Sequence, residues 1–157
     1  MVCNFMKDYT NAPRGTIQCK EYAEQLRSYE GLQFKGRSGY YTVTPTDIDG
    51  LVQLENENCF LVYELKHSGD VPQGQLMCLQ ALADRIQAGG SDCAVFVAVH
   101  NTPYPEVIMA KDAIVTQMYW RGKWYKKLKS RTLRELSNSY IQYIKNERNS
   151  EDKNERH

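Results

Sequence analysis

The chain has 157 residues, 41% of them hydrophobic and 25% charged, with 20 Lys and Arg against 19 Asp and Glu. These proportions suit one globular domain and exclude a fully disordered or collagen-like chain. The net charge of +1 points by itself to neither nucleic acid nor membrane. No apolar run approaches the ~18 residues of a membrane span, and residues 1–15 hold no stretch apolar enough for a secretory leader. The expectation is a cytoplasmic protein without a membrane partner.

Residues 1–15 read as a flexible lead-in. A helix is expected over 16–29, with Ile17, Tyr22, Leu26 and Tyr29 on one face. Residues 31–43 carry three glycines and read as irregular chain or short strands. Two strands over 48–54 and 59–66 flank the polar turn Glu55-Asn56-Glu57-Asn58. The clearest helix covers 71–88, with Pro72 near its start and Gly89-Gly90 at its end. The run Cys93-Ala94-Val95-Phe96-Val97-Ala98-Val99 within 92–100 is a buried strand. Further strands are expected at 107–109 and 113–118, a hairpin tip at 119–125, and an amphipathic helix over 132–145. Residues 148–157 are polar, charge-mixed and read as a disordered tail. The fold class is therefore α/β, with helices on the faces of a mixed sheet in a single domain over 16–147. The strand–helix–strand step from Cys59 to Val99 should join parallel strands.

Cysteine and histidine spacings indicate no metal or disulfide framework. There is no C-x-x-C pair, and His67, His100 and His157 form no ligand cluster. A thiol enzyme built on Cys59, Cys78 or Cys93 is a poor reading, because all three fall in elements expected to be buried and no histidine pairs with them.

Charge is unevenly spread. Residues 47–70 hold six acidic residues and one basic residue, whereas 121–134 hold seven basic residues and no acidic one. The basic stretch is interleaved with Tyr119, Trp120, Trp124 and Tyr125, a composition that suits a polyanion with stacking surfaces. Taken alone, a solvated hairpin with snorkelling lysines is the preferred reading.

The acidic hairpin carries the chemistry. If Leu54 pairs with Cys59, Asp49 lies opposite Glu64 and Asp47 opposite Lys66, and directly opposed side chains have Cβ atoms ~4.5–5.5 Å apart. Two carboxylates that close call for a positive charge between them, and hard divalent cations prefer carboxylate oxygen. Glu64 and Lys66 share one strand face with Phe60 and Val62, so two charges sit at the end of an apolar face. On the next helix Gln75 falls in the middle of the face defined by Leu79, Leu82 and Ile86, within reach of that strand end.

Asp49, Glu64-Leu65-Lys66 and Gly74-Gln75 in an α/β frame resemble the PD-(D/E)XK nuclease superfamily. The stretch from Tyr63 to Gln75 is especially similar to the VRR-Nuc and Holliday-junction-resolvase-like branch. The resemblance covers about residues 16–100 and implies a restriction-endonuclease-like α-β-β-β-α-β core, extended here by a C-terminal hairpin and helix. It implies a Mg²⁺- or Mn²⁺-dependent nuclease that hydrolyses phosphodiester bonds, DNA ahead of RNA. Asp49, Glu64 and the Leu65 carbonyl would be metal ligands, and Asp49, Glu64, Lys66 and Gln75 the catalytic set. Trp120, Arg121, Lys123, Trp124, Lys126 and Lys127 would hold nucleic acid. Asp47 rivals Asp49 as first ligand, since the family's Pro-Asp pair is not intact here: Pro45 does not directly precede either aspartate. Asp49 is preferred for its register with Glu64 and for the close approach that Gly50 allows. Asp47 and Glu21 are auxiliary candidates. Members of the superfamily often work as dimers, so a homodimer is an expectation with no interface assigned. The competing expectation is a catalytically silent nuclease-fold module that binds nucleic acid or a protein partner.

Overall fold

A computed structural model of the chain describes residues 34–35, 42–43, 48–67, 71–103, 106–126 and 128–154. The chain divides into two units, Met1–Pro45 and Thr46–His157, a division that falls inside the single domain expected over 16–147. In the first unit, strands β1 (Phe34–Lys35) and β2 (Thr42–Val43) form a short antiparallel ladder. The helix expected over 16–29, and Glu21 with it, lies outside the described residues.

The second unit is built on a five-stranded mixed sheet. Its strands are β3 (Gly50–Leu54), β4 (Cys59–Lys66), β5 (Asp92–Val99), β6 (Ile114–Trp120) and β7 (Lys123–Tyr125), and they lie side by side in chain order. Only the β4–β5 pair is parallel. That pair is joined through helix α1 (Gln73–Ala88), the long connection that parallel strands require. A second helix, α2 (Leu133–Asn154), closes the described chain.

The two helices cover opposite faces. Leu61, Phe96 and Val115 pack with Leu133, Leu136 and Tyr140 of α2. Val62, Val95 and Tyr119 pack with Leu79 and Ala83 of α1. Strands β4 and β5 are thus buried on both sides, which is why β5 reads as an unbroken apolar run rather than an alternating one. Leu54 pairs with Cys59, as the even-length turn requires, and Asn58 closes that turn with φ 44°. At the β6–β7 turn, Arg121 and Gly122 both have positive φ, 47° and 77°, the two-residue hairpin geometry that matches strand twist.

Some elements differ from expectation. Residues 107–109 form no strand: they precede a short 3₁₀ turn at Ala110–Asp112, and Val107, Ile108 and Met109 are exposed. Helix α2 runs on to Asn154, well into the polar stretch after Arg148. Polar residues on its outer face are compatible with helix, and its start is fixed by a reciprocal cap. There Glu135 N–H donates to Thr132 Oγ1 at 3.2 Å, and Thr132 N–H donates to Glu135 Oε2 at 2.8 Å. No described helix is long and apolar enough to cross a membrane.

Candidate active site

The site lies where β4 ends and α1 begins. Glu64 and Lys66 are two residues apart on β4, so both project toward the α1 face. Gln75 stands in the first turn of α1 and continues the stripe that buries Leu79 and Ala83. The three side chains close on one oxygen atom. Lys66 Nζ lies 2.6 Å from Glu64 Oε1, and Gln75 Nε2 donates to the same oxygen at 2.7 Å. Lys66 Nζ also donates to Gln75 Oε1 at 3.1 Å, which fixes the orientation of the amide.

Glu64 is 2% exposed, and its second oxygen, Oε2, has no hydrogen-bond partner among the described residues. A buried carboxylate oxygen without a donor or cation is costly. Burial pushes the Glu64 carboxyl above its usual range and the nearby Asp49 charge adds to this, while the hydrogen bonds and charge of Lys66 and the Gln75 amide pull it back.

Asp49 stands one residue before β3, exposed, in the position that continued register places opposite Glu64. Its Oδ2 accepts the N–H of Leu65 at 2.6 Å, so Asp49 serves as the hydrogen-bond partner where the β3 ladder has ended. Backbone groups alternate direction along a strand. The Lys66 carbonyl accepts from His100 N–H on the β5 side, and the Leu65 N–H turns to the β3 side. The Leu65 carbonyl therefore also faces the β3 side, past the last ladder pair, Gly50 with Tyr63. A Cβ at Gly50 would sit 3.0 Å from the Tyr63 ring, a contact tight enough that the ring would have to shift. The close approach that Gly50 permits is thus by Tyr63.

The donor set suits a hard divalent cation: one unpartnered buried carboxylate oxygen, a second carboxylate and a carbonyl on the same strand end. Among the described residues no three His, Cys, Asp or Glu side chains gather as a metal cage, so a cation held here would rely on the Leu65 carbonyl and solvent beside the two acids. Asp47, the rival first ligand, lies outside the described residues.

The basic hairpin occupies the other end of the sheet. Lys66 pairs with Val99 and Val99 with Ile114, whereas Trp120 pairs with Ala94. Six residues of β6 therefore separate the hairpin tip from the level of Lys66, about 20 Å. The two tryptophans also face opposite sides. Trp120 packs on the α2 side and donates its indole N–H to Asp92 Oδ1 at 2.7 Å. Trp124 packs on the α1 side and donates to Gln80 Oε1 at 3.0 Å. Arg121 lies over the Trp120 ring and pairs with Asp92 and Glu147. Exposed Lys123 and Lys126 stay at the surface, and Lys127 lies outside the described residues.

One juxtaposition escaped the sequence analysis. The rings of His67 and His100 meet edge to face at 5.4 Å where β4 and β5 end. The signal was the parallel register, since these residues directly follow the paired Lys66 and Val99. The expectation that all three thiols lie buried holds for Cys59 and Cys93, but Cys78 is exposed. Burial pushes the Cys93 thiol up to about 12, so it is no thiolate nucleophile. Comparison of the chain with protein-family models, curated proteins and solved structures finds no match.

Proposed function

We propose that the protein is a divalent-cation-dependent nuclease of the PD-(D/E)XK type, acting on phosphodiester bonds of nucleic acid, DNA ahead of RNA. The observation that carries this reading is Glu64: almost fully buried, with one oxygen gripped by Lys66 and Gln75 and the other unpartnered among the described residues. The order β3–β4–α1–β5 supports it, since it corresponds to the later part of an α-β-β-β-α-β core.

Asp49, Glu64 and the Leu65 carbonyl would hold Mg²⁺ or Mn²⁺, which supplies charge stabilisation at the phosphate and an acidified water. Lys66 orients the attacking water and stabilises charge on the phosphoryl oxygens. Gln75 positions Lys66, because its carbonyl accepts from the ammonium while its amide is anchored on Glu64. Asp49 also fixes the end of β4 through the Leu65 N–H. Backbone contacts to nucleic acid fall to exposed lysines such as Lys123 and Lys126, with the indoles of Trp120 and Trp124 engaged inside the protein.

The test is a panel of labelled duplex, branched and single-stranded DNA and RNA, incubated with and without Mg²⁺ or Mn²⁺. Cation-dependent cleavage of at least one substrate, lost in Glu64→Ala, is expected; no cleavage under any condition overturns the proposal. The silent module draws on the lack of a third metal-liganding side chain among the described residues. It would bind nucleic acid or protein with no cation uptake.

A further inference from the structure

The inference drawn here rests on the nuclease reading and concerns what occupies the site before a cation does. Glu64 Oε1 accepts from Lys66 and from Gln75, and Lys66 also donates to Gln75, so three side chains form a closed ring around one carboxylate oxygen. Lys66 is the one described cation in a salt bridge with Glu64, and both groups are largely withdrawn from water, with side-chain exposures of 27% and 3%. A buried carboxylate without countercharge is strongly disfavoured.

We propose that Lys66 is the resident counter-ion of Glu64 and competes with the divalent cation for it. The lysine that assists the reaction therefore weakens cation affinity, and cation binding loosens the Lys66–Glu64 pair and turns the ammonium toward substrate. Three observations support this. The ion pair is short, at 2.6 Å. The ring occupies Oε1 but leaves Oε2 without a partner among the described residues. Spacing on one strand face sets Lys66 beside Glu64.

The test is calorimetric titration of the full chain with Mn²⁺ alone, at alkaline pH so that Glu64 is ionised in every variant. Lys66→Met is expected to bind Mn²⁺ about tenfold more tightly than the wild type, the scale of a partly screened pair interaction. Lys66→Arg keeps the charge and should bind as the wild type does. Lys66→Gln keeps a donor without the charge and should also bind more tightly, and it serves if the Met variant melts early. Equal or weaker Mn²⁺ binding by a folded Met or Gln variant overturns the competition. If the wild type binds Mn²⁺ through Glu64 but shows no gain on replacing Lys66, this inference fails alone. If neither the wild type nor any variant binds Mn²⁺, the nuclease reading fails with it.

Discussion

At one end of the sheet Asp92 accepts from Trp120 Nε1 at 2.7 Å and Tyr140 Oη at 2.8 Å on one oxygen, while Arg121 approaches the other at 2.9 Å. At the opposite end Glu64 has two donors on one oxygen and, among the described residues, none on the other. Both acids are half-buried or buried, and both sit among long polar side chains. They differ in completeness. The Asp92 network ties β5, the β6–β7 hairpin and α2 together, with Arg121 reaching on to Glu147. A satisfied network of this kind stabilises one arrangement of the chain. The Glu64 cluster leaves one buried oxygen without a partner among the described residues, and an unpartnered buried acid is where a ligand has most to contribute.

This contrast can be broken at either end. The largest expected effect is at the open end. Glu64→Ala should abolish Mg²⁺-dependent cleavage, and Lys66→Ala should lower it by roughly 10²–10³-fold. Both should leave the circular dichroism spectrum unchanged; full activity in either variant removes the site assignment. At the satisfied end Asp92→Ala leaves an indole N–H and a hydroxyl without their acceptor and the Arg121 guanidinium with Glu147 alone. It should cost roughly 3 kcal/mol in denaturant unfolding, with cleavage retained below the transition. A loss well under ~1 kcal/mol would show that the far network is ornamental.

The Glu64 end should also show a pH response. Burial raises the folded-state value of Glu64 above the usual carboxylate range. The folded protein therefore binds that proton more tightly than the unfolded chain, and the associated stability is fully present below the unfolded value and lost as pH rises through the folded one. In the cation-free protein, Glu64→Gln should match the wild type in acid and melt higher above that window. A stability difference that does not change with pH would show that Glu64 is not desolvated in solution. The smallest effect concerns the α2 start. Thr132→Ala removes one half of the reciprocal cap with Glu135 and should cost about 1 kcal/mol, measured by urea unfolding.

Much of the sheet was legible from residue pattern. The β3–β4 register followed from an even turn, and strand β4 and the end of α1 fell where the apolar spacing and the Gly89-Gly90 pair placed them. The same register put Asp49 across from Glu64, and the helix-face spacing put Gln75 near Lys66. What could not be read was side-chain engagement at a distance. For the interleaved basic and aromatic run, composition does not show which face each tryptophan takes. Strand alternation sends Trp120 and Trp124 to opposite sides, where Asp92 and Gln80 accept their N–H groups. The distance of the hairpin from Lys66 was likewise hidden, since it depends on β6 running antiparallel to β5. Residues 107–109 misled for a simpler reason: three apolar residues in a row suit a strand, but here they stay exposed in a loop.

The central claim is that the open corner at Glu64 takes a divalent cation. Crystals of the protein grown with Mn²⁺ and measured for anomalous scattering test it most directly. The expected result is a single strong peak ~2.0–2.2 Å from Glu64 Oε2, with Asp49 and the Leu65 carbonyl among its oxygen neighbours. A map with no peak at that corner, with Glu64 still locked on Lys66 and Gln75, would contradict it.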